Sequence, residues 1–220
     1  MARHRVPGAR GARGCTIPRA MARTLFLGAE VRVDPESQGS PWDDARRTTY
    51  LLHRNVARPL SVDRAVWASF PTANGECPSD PLPWVSVEAV LERAAEARAT
   101  GQLRVVTLVI GLVVAGSSDE SLAASQGIGV EVVVEPGWQP LGFDIADATM
   151  VSGLSNCAYT ADEAAALRDP WSARLNEHGL FAFLPDALAF RTVTDERVRE
   201  HAPFAVYAMW LVPGSAVSGP

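Results

Sequence analysis

The apolar run Leu103–Ala115 (LRVVTLVIGLVVA) constrains the fold more than any other feature of the chain. It is rich in β-branched residues, it shows no polar alternation, and Gly116-Ser117-Ser118 follows it at once. Such a run is typical of a strand that is buried on both faces, whereas a helix that crosses a membrane needs about 20 apolar residues. The sequence therefore predicts a sheet with this strand in its interior, and no membrane span.

Four further segments have the composition of strands and are bounded by turn residues. They are Thr24–Val33, Gly129–Glu135, Leu141–Ile145 and Pro203–Val212. Val62–Phe70 alternates imperfectly and is compatible with a strand or a short helix. Together these segments predict an α+β fold, with a mixed sheet of about five strands and several helices packed against it.

Helices are indicated by capping residues and by apolar periodicity. Ser86–Thr100 begins at a favourable N-cap and ends before Gly101, and Asp162–Leu175 contains Pro170, which should kink or divide it. Weaker signals predict a helix over Ala45–Val56, one helical turn within Ser117–Gly127, a short helix over Pro185–Arg191 and a further turn over Thr194–Arg199. Between the first strands and helices, Pro71–Ser86 carries four prolines and predicts a long loop.

The charge of the chain is divided unevenly along its 220 residues. Six of the 20 arginines and none of the 25 acidic residues lie in the first 23 residues, so the rest is more acidic than the net charge of −5 suggests. We expect residues 1–23 to be a basic, disordered extension or a mis-annotated start before Met21, and residues 24–220 to form one globular domain. An acidic body repels nucleic acid and anionic membranes and attracts basic proteins.

The three cysteines, Cys15, Cys77 and Cys157, are far apart in the sequence. An odd number without a CxxC motif fits neither a disulfide framework nor a zinc site. The sequence thus predicts a cytoplasmic protein without a metal or another cofactor. Arginine as the sole basic residue besides histidine, with abundant alanine, glycine and valine, is typical of a GC-rich bacterial genome.

One candidate catalytic grouping is Cys157 with His178 and Asp144. A thiolate is the nucleophilic form of cysteine, and a neighbouring imidazole promotes its formation while a carboxylate or amide, here Asp144, Asn156 or Asn176, orients that imidazole. The competing interpretation is a buried structural cysteine, with His178 ending a helix before Gly179.

Other site chemistries receive less support from the sequence. A metal site from Asp144, Asp147, Glu177 and His178 lacks a recognisable spacing motif, and Ser152-Gly153 lies outside a GxSxG context. The glycines near Gly127 precede a strand rather than follow one, which does not suit a phosphate loop.

Six tryptophans are present, and three of them, Trp42, Trp84 and Trp138, stand beside prolines or glycines. Such positions favour the surface, where tryptophan often anchors a partner protein. The sequence therefore favours a protein-binding module with an acidic face, such as an immunity-type neutraliser of a basic toxin or effector. The alternatives are a small hydrolase or transferase that uses Cys157 and His178, and a structural subunit of a larger assembly.

Overall fold

A computed structural model describes residues 22–33, 105–147, 150–154 and 161–213, together with Val87, Leu91, Glu92 and Ala95. The described residues form four strands, three α-helices and one 3-10 helix. In chain order these are β1 (Arg23–Val33), β2 (Val105–Val114), α1 (Ser117–Ser125), β3 (Gln139–Ala146), α2 (Ala161–Arg168), the 3-10 helix (Asp169–Arg174), α3 (Leu184–Arg197) and β4 (Ala205–Leu211). The predicted α+β class is confirmed.

The four strands form one sheet in the order β1-β2-β4-β3, and every neighbouring pair is antiparallel. Among the described residues the sheet thus has four antiparallel strands, where a mixed sheet of about five strands was predicted. The reason is that β4 enters the sheet between β2 and β3 and runs antiparallel to both. As a result β2 and β3 run in the same direction but do not pair with each other, and their carboxyl ends lie at the same end of the sheet.

The predicted strand over Gly129–Glu135 is reduced to a single bridge, between Leu25 and Glu131. The Phe26 amide donates to the Val130 carbonyl at 2.7 Å, and the Val132 amide donates to the Thr24 carbonyl at 2.9 Å. The segment runs antiparallel to β1 and approaches its first residue, Arg23. Pairing extends no further because β1 ends there. This segment therefore lies along the outer side of β1 as a short addition to the sheet.

Burial of β2 agrees with the sequence prediction, since every residue from Val106 to Val113 is buried. β2 lies between β1 and β4 in the sheet, so its backbone bonds are satisfied on both sides. β4 is equally apolar and is buried from Ala205 to Trp210. These two central strands supply the middle of the core.

The free side of β3 is covered by a hairpin that ends near α3. Phe143 and Phe181 exchange two backbone hydrogen bonds of 2.9 Å each, and Leu175 bridges to Phe181 in turn. Gly142 permits this close approach: its φ is +136°, and a Cβ there would lie 2.7 Å from the Phe181 carbonyl oxygen. Only glycine combines that backbone conformation with that contact.

The described helices lie in segments where the sequence predicts a helix or a helical turn, but their lengths differ from the prediction. Pro170 lies within the 3-10 helix that follows α2, so the predicted division of Asp162–Leu175 is confirmed. α3 is one continuous helix where a short helix and a separate turn were predicted, because nothing in its sequence interrupts it. α1 likewise has nine residues rather than one turn.

Aromatic packing holds α3 against the hairpin beside β3. The ring centroid of Phe190 lies 5.3 Å from that of Phe181 and 5.5 Å from that of Trp171. Of the predicted helix Ser86–Thr100 the structure describes Val87, Leu91, Glu92 and Ala95, all helical. The predictions for Ala45–Val56, Val62–Phe70, Pro71–Ser86 and residues 1–21 lie outside the described residues.

Candidate functional site

The predicted catalytic residues are distributed over three segments. Cys157 and Asn156 lie outside the described residues, so the thiol grouping stays a hypothesis. His178 occupies the turn of the hairpin that covers β3, and Asp144 lies within β3 itself.

Asn176 organises the turn that carries His178. Its side-chain oxygen accepts the amides of His178 at 3.0 Å and Leu180 at 3.2 Å, while its Nδ2 donates to the Leu141 carbonyl at 2.7 Å. This amide, a candidate for orienting the imidazole, thus bonds to the backbone and fastens the turn to β3. The arrangement is an Asx turn, which is the usual use of asparagine in loops.

The imidazole of His178 is half-buried beside an exposed carboxylate. Its Nε2 lies 3.7 Å from Oε1 of Glu177. Burial lowers the pKa of His178, and the charge of Glu177 opposes that shift. Desolvation penalises the charged form, so the imidazole is predominantly neutral at pH 7 and is able to accept a proton.

Asp144 serves as an anchor for the loop that follows β3. Its Oδ1 accepts the Ser152 hydroxyl at 2.7 Å and the Ile145 amide at 2.7 Å, and all of these groups are buried. The Ser152 oxygen accepts the Leu154 amide at 3.0 Å in turn. A carboxylate that is bonded in this way fixes local structure, so Asp144 has a structural role in this loop.

A buried polar cluster, defined here as Asp119, Asp144, Asp147 and Tyr207, occupies the end of the sheet where β2 and β3 both finish. Tyr207 stands opposite Asp144 on β3 and Leu112 on β2. Burial raises the pKa of the Tyr207 phenol well above its ordinary value, and the charges of the three carboxylates raise it further. Tyr207 is thus a neutral phenol at any physiological pH.

Among the described residues, none forms a hydrogen bond with the buried hydroxyl of Tyr207 or with that of Thr107 on β2. A buried polar atom without a partner costs about 1–3 kcal/mol. The Tyr207 hydroxyl therefore adds a local energetic cost to the polar cluster.

Asp147 holds His201 at the rim of the polar cluster. His201 Nδ1 lies 2.8 Å from Asp147 Oδ2, and Asp147 Oδ1 accepts the Val151 amide at 3.0 Å. The carboxylate side chain is 3% exposed and the histidine side chain 43%. This aspartate therefore fixes the ring of a solvent-accessible histidine, an orientation that general acid and base catalysts also use.

Asp119 connects the polar cluster to α3. Its two oxygens accept the Arg191 guanidinium at 2.8 Å and the Ala115 amide at 2.9 Å. The carboxylate is almost fully buried and Arg191 is largely so. This ion pair ties the start of α1 to α3 across the end of the sheet.

Within the described ranges, the most exposed large apolar side chains lie elsewhere, along residues 130–135, which we call the valine edge. Val130 and Val133 are each 71% exposed, and Val134 is 51% exposed. These side chains follow one another along a segment whose one side is attached to β1. Clustered exposed apolar side chains mark interaction sites more often than scattered ones do.

The valine edge is also acidic. Glu131 and Glu135 are both exposed within it, and the chain contains no arginine, lysine or histidine between Arg104 and Arg168. Glu120 of the nearby α1 is joined to Arg23 by two hydrogen bonds of 2.7 and 2.9 Å. The surface thus offers aliphatic side chains together with two carboxylates, Glu131 and Glu135, that form no salt bridge with a described residue, since Arg23 is paired with Glu120.

Of the three tryptophans predicted at the surface, Trp138 is half-buried and packs against the core, shortly after the valine edge. Trp42 and Trp84 lie outside the described residues. Gly129–Glu135 is predicted as a strand from its composition, but its exposure is not. The absence of basic residues between Arg104 and Arg168 is the sequence signal that could have marked this segment as part of an acidic surface.

Within the described ranges, no group of three or more histidine, cysteine, aspartate or glutamate side chains is arranged to hold a metal ion. No helix among those residues is both long and apolar enough to cross a membrane. Comparison of the chain with protein-family models, with curated proteins and with solved structures yields no match.

Proposed function

We propose that this chain is a protein-binding module that receives a basic partner on the valine edge. The observation that carries the proposal is the run of exposed valines between exposed glutamates, on a segment already attached to the sheet. Burying one valine side chain stabilises a complex by about 1.5 kcal/mol or more, so the three valines supply an apolar centre for an interface. The glutamates add long-range attraction for a basic protein and accelerate its capture.

The specific form of this proposal is a bacterial, cytoplasmic neutraliser of a basic toxin or effector. The net charge of −5, with acids concentrated after residue 23, supports a role in which rapid capture matters. Steering by charge acts over about 10 Å at moderate ionic strength, which predicts a strong dependence of capture on salt.

The test is affinity capture of a partner from native lysate by the tagged full chain, at low and high salt. The variant proteins are Val130→Ser/Val133→Ser/Val134→Ser and Glu131→Gln/Glu135→Gln, with Phe183→Ser as the matched control. Phe183 is also a large exposed apolar residue, at 48%, but it precedes α3. We expect one basic protein in stoichiometric amount, lost with either valine-edge variant and retained by the control.

Two results contradict the proposal. Capture that is unaffected by both valine-edge variants places the binding surface elsewhere. If no basic partner is captured even at low salt, the proposed binding of a basic protein is rejected.

The second candidate function is a thiol enzyme, favoured by the neutral, half-buried imidazole of His178. A catalytic Cys157 should be alkylated by iodoacetamide at neutral pH faster than Cys77, and His178→Asn should abolish that difference. Equal, slow modification of both cysteines, measured by peptide mass spectrometry, rejects this candidate.

A further inference from the structure

The backbone of the valine edge is bonded on one side and open on the other. The Val130 carbonyl and the Val132 amide point towards β1, where each makes a hydrogen bond. Successive residues of an extended segment direct their backbone groups to opposite sides. The amide and carbonyl of Glu131 therefore point away from β1, and those of Val133 follow the same alternation.

Among the described residues nothing bonds to the backbone of Glu131 or Val133. Proteins usually protect such an edge with lysine, with proline or with a covering element. Here the chain contains no lysine, and the nearest proline, Pro136, comes after the exposed valines.

We propose that the valine edge binds its partner by strand addition, with an extended basic segment of that partner pairing with Glu131 and Val133. This inference rests on the proposed binding function and specifies how the surface is used. The open backbone groups provide the hydrogen bonds, the valines contact aliphatic side chains of the added strand, and the glutamates face its arginine or lysine side chains. Opposite charges across a strand pair are stabilising.

A basic partner fits this edge better than a second copy of the chain does. Two copies that pair antiparallel about Val133 place Glu131 of each copy opposite Glu135 of the other. Like charges directly opposite one another destabilise a strand pair. A basic strand removes this repulsion at both positions.

The probe is a synthetic peptide of about eight residues, a usual strand length, in which arginine alternates with valine or threonine. A second peptide with glutamate in place of arginine controls for charge. Binding to the full chain is measured by titration calorimetry, and backbone protection is measured by hydrogen exchange with residue resolution. The key variant is Val133→Pro, which removes the outward amide, and its matched control is Val133→Thr, which keeps that amide and the β-branched shape.

Strand addition predicts slower exchange of the Glu131 and Val133 amides when the arginine peptide is added, with little change at Val132, whose amide β1 already protects. We expect Val133→Pro to weaken binding at least ~10-fold, Val133→Thr to change it less than ~2-fold, and the glutamate peptide to bind at least ~10-fold more weakly. Equal binding to the proline variant, or protection that bypasses Glu131 and Val133, overturns strand addition.

The two proposals fail in distinguishable ways. A partner captured through the valines and glutamates, combined with no effect of Val133→Pro, leaves the binding module in place and rejects strand addition. Concentration-dependent protection of Glu131 in the free protein identifies a second copy as the occupant and also rejects a basic partner strand. A peptide that does not bind at millimolar concentration rejects strand addition, whatever the capture experiment gives.

Discussion

Replacing Tyr207 by phenylalanine should stabilise the protein, although most substitutions in a core destabilise it. The tyrosine is fully buried on β4, and no residue in the part of the chain that the structure describes forms a hydrogen bond with its hydroxyl. Folding therefore removes this hydroxyl from water without compensation, at a cost of about 1–3 kcal/mol. Phenylalanine keeps the ring in the same place and omits the group that incurs the cost.

The expected gain is near the lower end of that range. Removing one oxygen atom leaves a small void, and voids in a core cost about 24 cal/mol per Å³. The phenol is neutral, so no ion pair is lost. We expect the free energy of unfolding at pH 7 to rise by about 1 kcal/mol, which corresponds to about 2–4 °C in Tm for a chain of this size.

The dependence of stability on pH in alkaline solution provides a second test of the Tyr207 phenol. Burial, with the carboxylates of Asp147, Asp119 and Asp144, raises the pKa of Tyr207 in the folded state, while the unfolded phenol titrates near its ordinary pKa of about 10. The unfolded state thus loses its proton first, and stability falls as pH rises above about 10. Tyr207→Phe lacks this loss, so the difference between variant and wild type should widen by up to about 1.4 kcal/mol per pH unit there.

The assay is urea unfolding at pH 7 and at several values up to pH 11, with Thr107→Val as the comparison. Thr107, on β2, carries a second buried hydroxyl that no described residue bonds, and it should also tolerate or gain from losing it. A Tyr207→Phe protein that is less stable by about 1 kcal/mol or more at pH 7 would refute the reasoning, because the hydroxyl would then make a favourable bond.

Three further outcomes follow from the structure. Arg191→Ala leaves the buried carboxylate of Asp119 without its ion-pair partner and should lower the free energy of unfolding in urea by about 3 kcal/mol. Glu120→Gln disrupts an exposed pair and should lower it by less than about 1 kcal/mol. Similar losses for the two variants would contradict this account. Gly142→Ala combines a positive φ with a backbone oxygen 2.7 Å away and should lower Tm steeply, while Gly153→Ala, with its nearest atom at 3.4 Å, should fold with nearly unchanged Tm. Burial lowers the pKa of His178, so its NMR titration midpoint should lie below 6.5. The unfolded state then takes up a proton first as the pH falls, so the free energy of unfolding should decrease below about pH 6.5. A midpoint above 6.5 would show a solvated ring.

The strands were predictable because their signals are local. Leu103–Ala115 is apolar and β-branched over its whole length, and it forms β2 within two residues of the predicted bounds. Pro203–Val212 gave β4 for the same reason. The number and direction of strands were not predictable, because they depend on which segments meet. Gly129–Glu135 has the composition of a strand, yet β1 pairs with only Val130, Glu131 and Val132 of it.

The candidate sites were less predictable, because their parts are distant in the sequence. Asp119 and Arg191 are separated by 72 positions, and Asp147 and His201 by 54. No spacing motif connects residues so far apart. Asp144 was identified as a candidate catalytic residue from its polar surroundings, and one of those neighbours, Ser152, proved to be its hydrogen-bond partner. The exposure of the valine edge depends on which elements cover it, and composition does not record that.

The central position of β4 has a consequence for synthesis of the protein. During translation β2 and β3 leave the ribosome long before residues 205–211, and until then they have no common neighbour. The nascent chain must therefore keep the edges of two very apolar strands apart from each other and from other chains. β1 pairs with β2 without β4, but β3 joins the sheet only through β4, so chaperone binding to nascent chains that lack β4 is the natural safeguard against aggregation.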